Sequence, residues 1–394
     1  MKRIFKPIAD YFLATDIVLW VLTVAASAYG LILIHSLQRA GNYNYFRTQL
    51  LAIAIGYIGA IIISVIDYEY ILKYWWIGAF VGAVLCILVL FFGITVQGTA
   101  ANTAWLNLPF GLSFQPSELL KIIFIITFAK HLSHLENNNT LKTLKGFCFL
   151  TLHALVPMLL IRLQGDDGTL LIFAIMYLIM MFAAGVQLRY FAIMGGAILA
   201  AAPFLWYFVM NEDQKNRIMV LFDLDGGALQ NFGWQQYQGK VSVASGMMQG
   251  YGLGQGPRVE YEIVPEQAND FIFTVAGEEL GFIGCIVILL LLGLIAARIM
   301  QNGSRARDGA GAYICSGMFA IIATQSIINL GMVLGFLPVI GITLPFFSSG
   351  GTSVMCLYLG LGLLQSVSLH RDDINSIKPN DMLLRKKHMQ RGRY

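Results

Sequence analysis

The chain has 394 residues, 57% hydrophobic and only 12% charged, about half the roughly 25% charge of a water-soluble domain. Its formal net charge of +4 gathers at the ends of apolar runs, which points to anionic lipid headgroups and away from nucleic acid. The five cysteines all lie inside apolar runs and form no C-x-x-C pair, so neither a disulfide framework nor a zinc site is expected.

About 20 apolar residues are needed to cross roughly 30 Å of hydrocarbon. Ten windows meet that length, near 17–35, 48–66, 75–95, 118–135, 146–163, 168–186, 190–210, 270–297, 312–335 and 350–369. Only helices or closed barrels satisfy the backbone in lipid, and barrel strands would be shorter and strictly alternating. The expectation is an all-α integral membrane protein, one polytopic domain over 1–394 with ten transmembrane helices. A large extracytoplasmic loop, 211–269, joins helices 7 and 8.

Basic residues set the orientation. With Lys2, Arg3 and Lys6 in the cytoplasm, 18 of the 26 lysines and arginines fall on that side, including those of the basic tail 371–394. Ten spans return the second terminus to the same side. The protein is therefore expected in the cytoplasmic (inner) membrane, with both termini cytoplasmic and loop 211–269 on the periplasmic face. An "ASA" at 26–28 resembles a signal cleavage site, but the apolar run continues to Ile34, so the first span is read as retained.

In chain order, the first charges at membrane depth are in "FQPSELLKI", 114–122. Pro116 suits a first helical turn, Glu118 meets the free amides there, and Lys121 follows at i, i+3. The segment is either a capped helix with a local ion pair or a cation held ready for an anionic group. His131 and His134 share a helix face at the cytoplasmic edge and are read as structural. "RLQGDDGTLL", 162–171, crowds Arg162, Asp166 and Asp167 into a polar turn.

In the long loop, Trp234, Tyr237, Val241 and Ala244 are spaced like the apolar face of a short helix. Such a helix would lie along the outer membrane surface and offer Gln235, Gln238 and Lys240 to a headgroup; the plainer reading is a surface loop with one amphipathic turn. "NDFIFTVAGEELGFIG", 269–284, then carries acids into an apolar run. On one helix Asp270, Thr274 and Glu278 would fall within about 80° of one another, with Glu278 about 12 Å below Asp270. Asp270 then stands at the aqueous lip, either as a helix cap or as a general base with a raised pKa. The deeper Glu278 and Glu279 would clamp neighbouring helices or line a polar cavity. Finally "SSGGTS", 348–353, supplies hydroxyls and amides able to hold an anion at the start of the last span.

"FQPSELLK", "NDFIFTVAGEELGFIG" and "GMVLGFLPVIGITLPFFSSGGTS", in this order within a ten-span plan, closely resemble the SEDS family (shape, elongation, division and sporulation). Chain length, short termini and the last string look more like its rod-shape branch than its division branch. The resemblance implies a peptidoglycan glycosyltransferase that polymerises lipid II, releases undecaprenyl pyrophosphate and serves cell elongation and shape. It also implies a class B penicillin-binding protein as transpeptidase partner, together with other elongation-complex proteins, membrane lipids and undecaprenyl-linked glycan. Its essential aspartate falls on Asp270, its glutamate and lysine on Glu118 and Lys121, and a further aspartate on Asp166. The loop pattern falls on Trp234, Gln235, Gln238 and Lys240, and a serine on Ser348. The sequence departs from the family at Ala268-Asn269, where His-Thr is usual, at Gly165-Asp166-Asp167, and at Ala104, where an arginine is common.

Asp270 as base and Lys121, Lys240 and Arg217 as phosphate contacts would then carry the reaction. Alternatively Asp270 holds a divalent cation, Mg²⁺ or Mn²⁺. Two rival functions are a transporter (flippase) of the lipid-linked precursor and a non-catalytic scaffold. The first is disfavoured by the one-sided load of chemistry on the outer face, and the second leaves Asp270 without a purpose.

Overall fold

The computed structural model describes residues 11–12, 14–40, 45–94, 103–108, 112–222 and 233–371. Lys2, Arg3 and Lys6, part of loop 211–269 (223–232), and the basic tail beyond Arg371 lie outside the described residues. The elements in order are α1 (Ile17–Ala40), α2 (Tyr45–Val65), α3 (Tyr68–Lys73) and α4 (Trp75–Phe92). A hairpin of β1 (Leu106–Leu108) and β2 (Leu112–Phe114) follows, paired antiparallel with Leu106 opposite Phe114. Then come α5 (Pro116–Asn137), α6 (Leu144–Leu163), α7 (Asp167–Ala183) and α8 (Leu188–Phe204), which ends in a π turn (Leu205–Val209). Short α9 (Glu212–Met219), α10 (Trp234–Ser245) and α11 (Pro257–Glu260) precede the long α12 (Ile272–Ser304), α13 (Gly309–Val333) and α14 (Gly351–Leu369).

Among the described residues, eight helices are long and apolar enough to cross a membrane. The other two apolar windows are helical as well. α5 carries Glu118, Lys121 and Lys130 within its length, and α7 has only 17 residues.

The bundle is built around α13 and α14, whose apolar windows are 78% and 83% buried, whereas the most apolar 18-residue window within Leu188–Val209 has no buried residue. α13 packs against α5, α7 and α12, and α14 packs most extensively against α2. The reason for the second pairing is a stripe of short side chains. Gln49, Ala52, Gly56, Ala60 and Ser64 form the buried face of α2 at spacings of three and four. A Cβ at Gly56 would meet Tyr358 Cβ at 2.9 Å, and one at Gly362 would meet the Ala60 carbonyl at 2.6 Å. Lipid tails are as apolar as leucine, so helices in a bilayer associate by this close approach rather than by hydrophobic drive.

The two ends of the bundle differ. One end is tied by Asp16, which accepts hydrogen bonds from Arg298 Nε (2.7 Å) and Asn302 Nδ2 (2.6 Å). Gln365 brackets its backbone from α14. These bonds outweigh the burial that opposes ionisation and hold the Asp16 carboxyl below its ordinary value. Arg307 pairs with Asp67 and Glu69 at the same end.

The opposite end carries the hairpin and α9 to α11. There α12 is broken at Gly281 (φ 65°, ψ −161°). An unbroken helix would bond Phe282 N to the Glu278 carbonyl and Ile283 N to the Glu279 carbonyl. Instead the loop takes all four groups. Tyr251 N and Gly252 N donate to the carbonyls of Glu278 and Glu279, and the carbonyls of Met247 and Met248 accept from Phe282 N and Ile283 N. A Cβ at Gly281 would lie 2.5 Å from Gly250 N, so glycine is required by space as well as by φ.

Candidate functional site

Asp270 does not lie on α12. It sits in the turn before it, with Phe271 at the cap position, and so does not share a helix face with Thr274 and Glu278 as the sequence suggested. Glu278 instead faces α11, accepting from the amides of Arg258 (2.6 Å) and Val259 (3.3 Å). Glu279 accepts from Ser36 of α1 and from Gly254 N, clamping the first helix and the glycine-rich loop together.

The Asp270 turn is fixed by its backbone. Asn329 of α13, fully buried, donates one Nδ2 hydrogen to the Asp270 carbonyl and the other to the Ile342 carbonyl, both at 2.7 Å. Its Oδ1 is buried without a partner among the described residues. The Asp270 side chain is half-buried, and no hydrogen bond reaches its carboxylate among the described residues. Desolvation by the surrounding protein, and then the nearby charge of Glu266, raise its pKa to about 7.

The segment joining α13 to α14 assembles the rest. A Cβ at Gly335 would lie 3.0 Å from Lys240 Nζ, the Val339 carbonyl accepts from Arg217 Nη1 at 3.1 Å, and a Cβ at Gly341 would lie 3.4 Å from Asp270 Oδ2. An acid and two cations thus line six residue steps, about 20 Å at full extension. Lys240 is exposed and makes no ion pair among the described residues. The segment is strained as well: Phe346 is buried at φ 69°, a region costly for a bulky side chain.

Behind this segment lies a second polar cluster. Lys121 Nζ and Glu118 Oε1 are 2.8 Å apart, and both residues are buried. Asp166 accepts from Thr169 N (2.9 Å) and from Gln115 Nε2 (2.9 Å). Burial pushes its carboxyl up, with the hydrogen bonds from Thr169 acting the other way. Gly168, in the same turn, packs on Ile340 and Ile342, so residues 340–342 separate this cluster from Asp270. Asp167 is held by Arg162 and by Gln214 of α9.

The remaining expected residues are engaged in holding the loop. Gln235 donates to the Pro265 carbonyl, and Gln238 Oε1 accepts from Arg258. Ser348 is buried, its hydroxyl accepting from Leu344 N within the turn that starts α14. α10 packs by Gln236, Gly239 and Ser242, whereas Trp234 and Tyr237 are exposed, so the apolar face of this helix is the outward one. Gln236 reaches the carbonyls of Met332 and Leu337, tying α10 to the α13–α14 segment.

Among the described residues no group of three or more histidine, cysteine, aspartate or glutamate side chains is gathered for a metal. Mg²⁺, however, is commonly held by one or two carboxylates with substrate phosphates and water completing the shell. The unbonded Asp270 carboxylate with Glu266 nearby fits that sparse kind of site.

The bundle and its apolar helices define a polytopic membrane protein with a polar candidate site toward one end. A model of the family FtsW/RodA/SpoVE, described as cell cycle protein, matches residues 16–373. The chain belongs to this family. It is 31% identical over 376 residues to a probable peptidoglycan glycosyltransferase FtsW of Trichlorobacter lovleyi, covering 93% of this chain and 95% of that protein. It is 32% identical to the peptidoglycan glycosyltransferase MrdB of Escherichia coli K12 over 73% of this chain and 77% of that one. The two identities differ by one percentage point and do not separate the division branch from the rod-shape branch. Among solved structures, one described as showing the coordination of polymerization and crosslinking by a peptidoglycan synthase complex superposes with a TM-score of 0.77. It is 26% identical and covers 92% of this chain and 99% of its own. The crystal structure of Thermus thermophilus RodA shares the fold, with a TM-score of 0.67 over 91% of this chain and 98% of that chain at 24% identity.

Proposed function

We propose that the protein is a peptidoglycan glycosyltransferase that polymerises lipid II, with Asp270 as its general base. Asp270 takes the proton from the 4-hydroxyl of the acceptor sugar, and the oxygen attacks the anomeric carbon of the lipid-linked strand end. The anomeric C–O bond to the carrier breaks, and undecaprenyl pyrophosphate leaves with the electron pair. Lys240 and Arg217 meet the charge of that leaving group. The observation that carries this reading is the alignment of Lys240, Arg217 and Asp270 along residues 335–341, with the Asp270 carboxylate free of hydrogen bonds among the described residues and its pKa raised to about 7. A base works best with a pKa near the operating pH. If Asp270 instead held a divalent cation, the ion would supply charge neutralisation on the pyrophosphate in place of proton removal by that carboxylate. In this reading the buried Lys121–Glu118 pair and Asp166 support the segment from behind, and Gln235, Gln238 and Ser348 hold the loop and turn that frame it.

The reading includes all ten apolar helices as spans, α5 and α7 among them, in the cytoplasmic membrane. Both termini are cytoplasmic, and the Asp270 end, with loop 211–269, is periplasmic. It also includes a class B penicillin-binding protein as partner and a role in elongation. The transporter reading gains no support from the buried acid at the other end, since Asp16 is spent on Arg298 and Asn302. The experiment is polymerisation of purified lipid II, with the partner present, by the parent and by Asp270→Ala. Polymer from the parent alone supports the enzyme. Equal polymer from both removes Asp270 from the chemistry, and none from either favours transport.

A further inference from the structure

Between α4, α5 and α6 lies a cavity of about 600 Å³ that the reaction above does not use. Trp75 and Val156 on its rim are 40% and 57% exposed, so it opens sideways out of the bundle, toward lipid. Along α5 its wall runs from Leu120 to His134, about 21 Å at 1.5 Å per residue. That is about two-thirds of a hydrocarbon core of roughly 30 Å.

The wall of this groove is largely apolar. Ala79, Ala83, Ile123 and Leu160 leave room on three sides. The polar atoms within it bond to one another: Thr127 donates to the Phe124 carbonyl, so it accepts from His153 Nε2. His153 Nδ1 is then an acceptor for His131 Nδ1, 3.0 Å away. A hydrocarbon chain in the groove therefore leaves Thr127, both His153 nitrogens and His131 Nδ1 bonded.

The mouth is cationic. Lys130 and His134 line it one turn apart, and both are exposed. The same ends of α3, α5 and α6 carry Lys73, Lys142 and Lys145, and among the described residues none of these lysines nor Lys130 has an ion-pair partner. The carboxylates at this end are engaged elsewhere: Asp67 and Glu69 with Arg307, Glu136 with Tyr313, Asp308 with Tyr68. An apolar groove ending in unpaired lysine between transmembrane helices matches the basic pockets that take acidic lipid headgroups.

We propose that the α4–α5–α6 groove is a binding site for one anionic phospholipid, its phosphate held at Lys130 and His134 and one acyl chain lying along α5 toward Leu120. The site rests on these helices lying in a bilayer and not on the chemistry assigned to Asp270.

The test is native mass spectrometry of the full chain released from detergent, with phosphatidylglycerol or phosphatidylcholine of identical chains as the probe. The parent is expected to retain one phosphatidylglycerol more tightly than phosphatidylcholine. Lys130→Gln should lower that preference about five-fold, the worth of one lysine at a lipid surface, and Ala83→Phe, which fills the groove, should remove the retained lipid. Ala79→Phe on the same wall serves if Ala83→Phe melts at a lower temperature than the parent. Equal retention of both lipids by the parent, or unchanged retention by Lys130→Gln and by a folded groove-filling variant, overturns the proposal.

Discussion

Two carboxylates flank the same short stretch, residues 340–342, and are treated in opposite ways. Glu118 lies in the cluster behind it, buried and joined to Lys121 at 2.8 Å. Asp270, in front, has a bonded backbone and an unbonded side chain among the described residues. A paired buried charge contributes rigidity and gives up reactivity. An unpaired one at a half-dehydrated lip costs stability and keeps a lone pair available near neutral pH.

The comparison breaks most visibly at Asp270. Asp270→Asn should lower lipid II polymerisation about 10²–10⁴-fold, the range of general-base catalysis, while the melting temperature holds or rises. A large loss of stability in this variant would mean that the acid is structural. The mirror experiment is Lys121→Met, which strands Glu118 and should destabilise by about 3–5 kcal/mol in thermal or denaturant unfolding. Adding Glu118→Leu should restore most of that loss; a double variant as unstable as the single would show that the pair is more than mutual compensation.

Asn329→Ala sharpens the contrast by loosening the turn without touching the acid. Removing its two bonds should cost about 1–3 kcal/mol, read as a lower kcat at unchanged KM for lipid II. A rise in KM alone would assign Asn329 to substrate binding instead. The smallest effect is on pH. An acid with its pKa at about 7 is protonated below that value, so polymerisation should climb about ten-fold between pH 6 and pH 8 and then level off. A flat profile over that range would mean that Asp270 is ionised throughout.

Much of the helical plan was legible because hydrocarbon thickness imposes a length on every span. All ten apolar windows correspond to helices, and the acid marking the site stood at the end of one of them. Its neighbours were harder to read. Asn329 meets Asp270 across 59 positions and Gly335 meets Lys240 across 95, separations that leave no periodicity in the chain. One signal was available: an asparagine inside "SIINLGMV" is costly in a membrane unless paired. The face by which α10 packs was not marked by hydrophobicity: its apolar face, legible in the spacing of Trp234 and Tyr237, points outward. Beside a bilayer the small face of Gln236, Gly239 and Ser242 packs and the aromatic face is left out. Ser348 offered a hydroxyl on paper, but its own turn uses it.

The break at Gly281 has a mechanical corollary. The two rungs missing from α12 are the ones that the loop segment 247–252 supplies, so the rod cannot zip itself straight while that segment stays docked. Uncoiling there and release of the extramembrane flap are one event rather than two. A tug on this part of the helix would reach the flap through four backbone contacts, beside the side-chain bonds of Glu278 and Glu279.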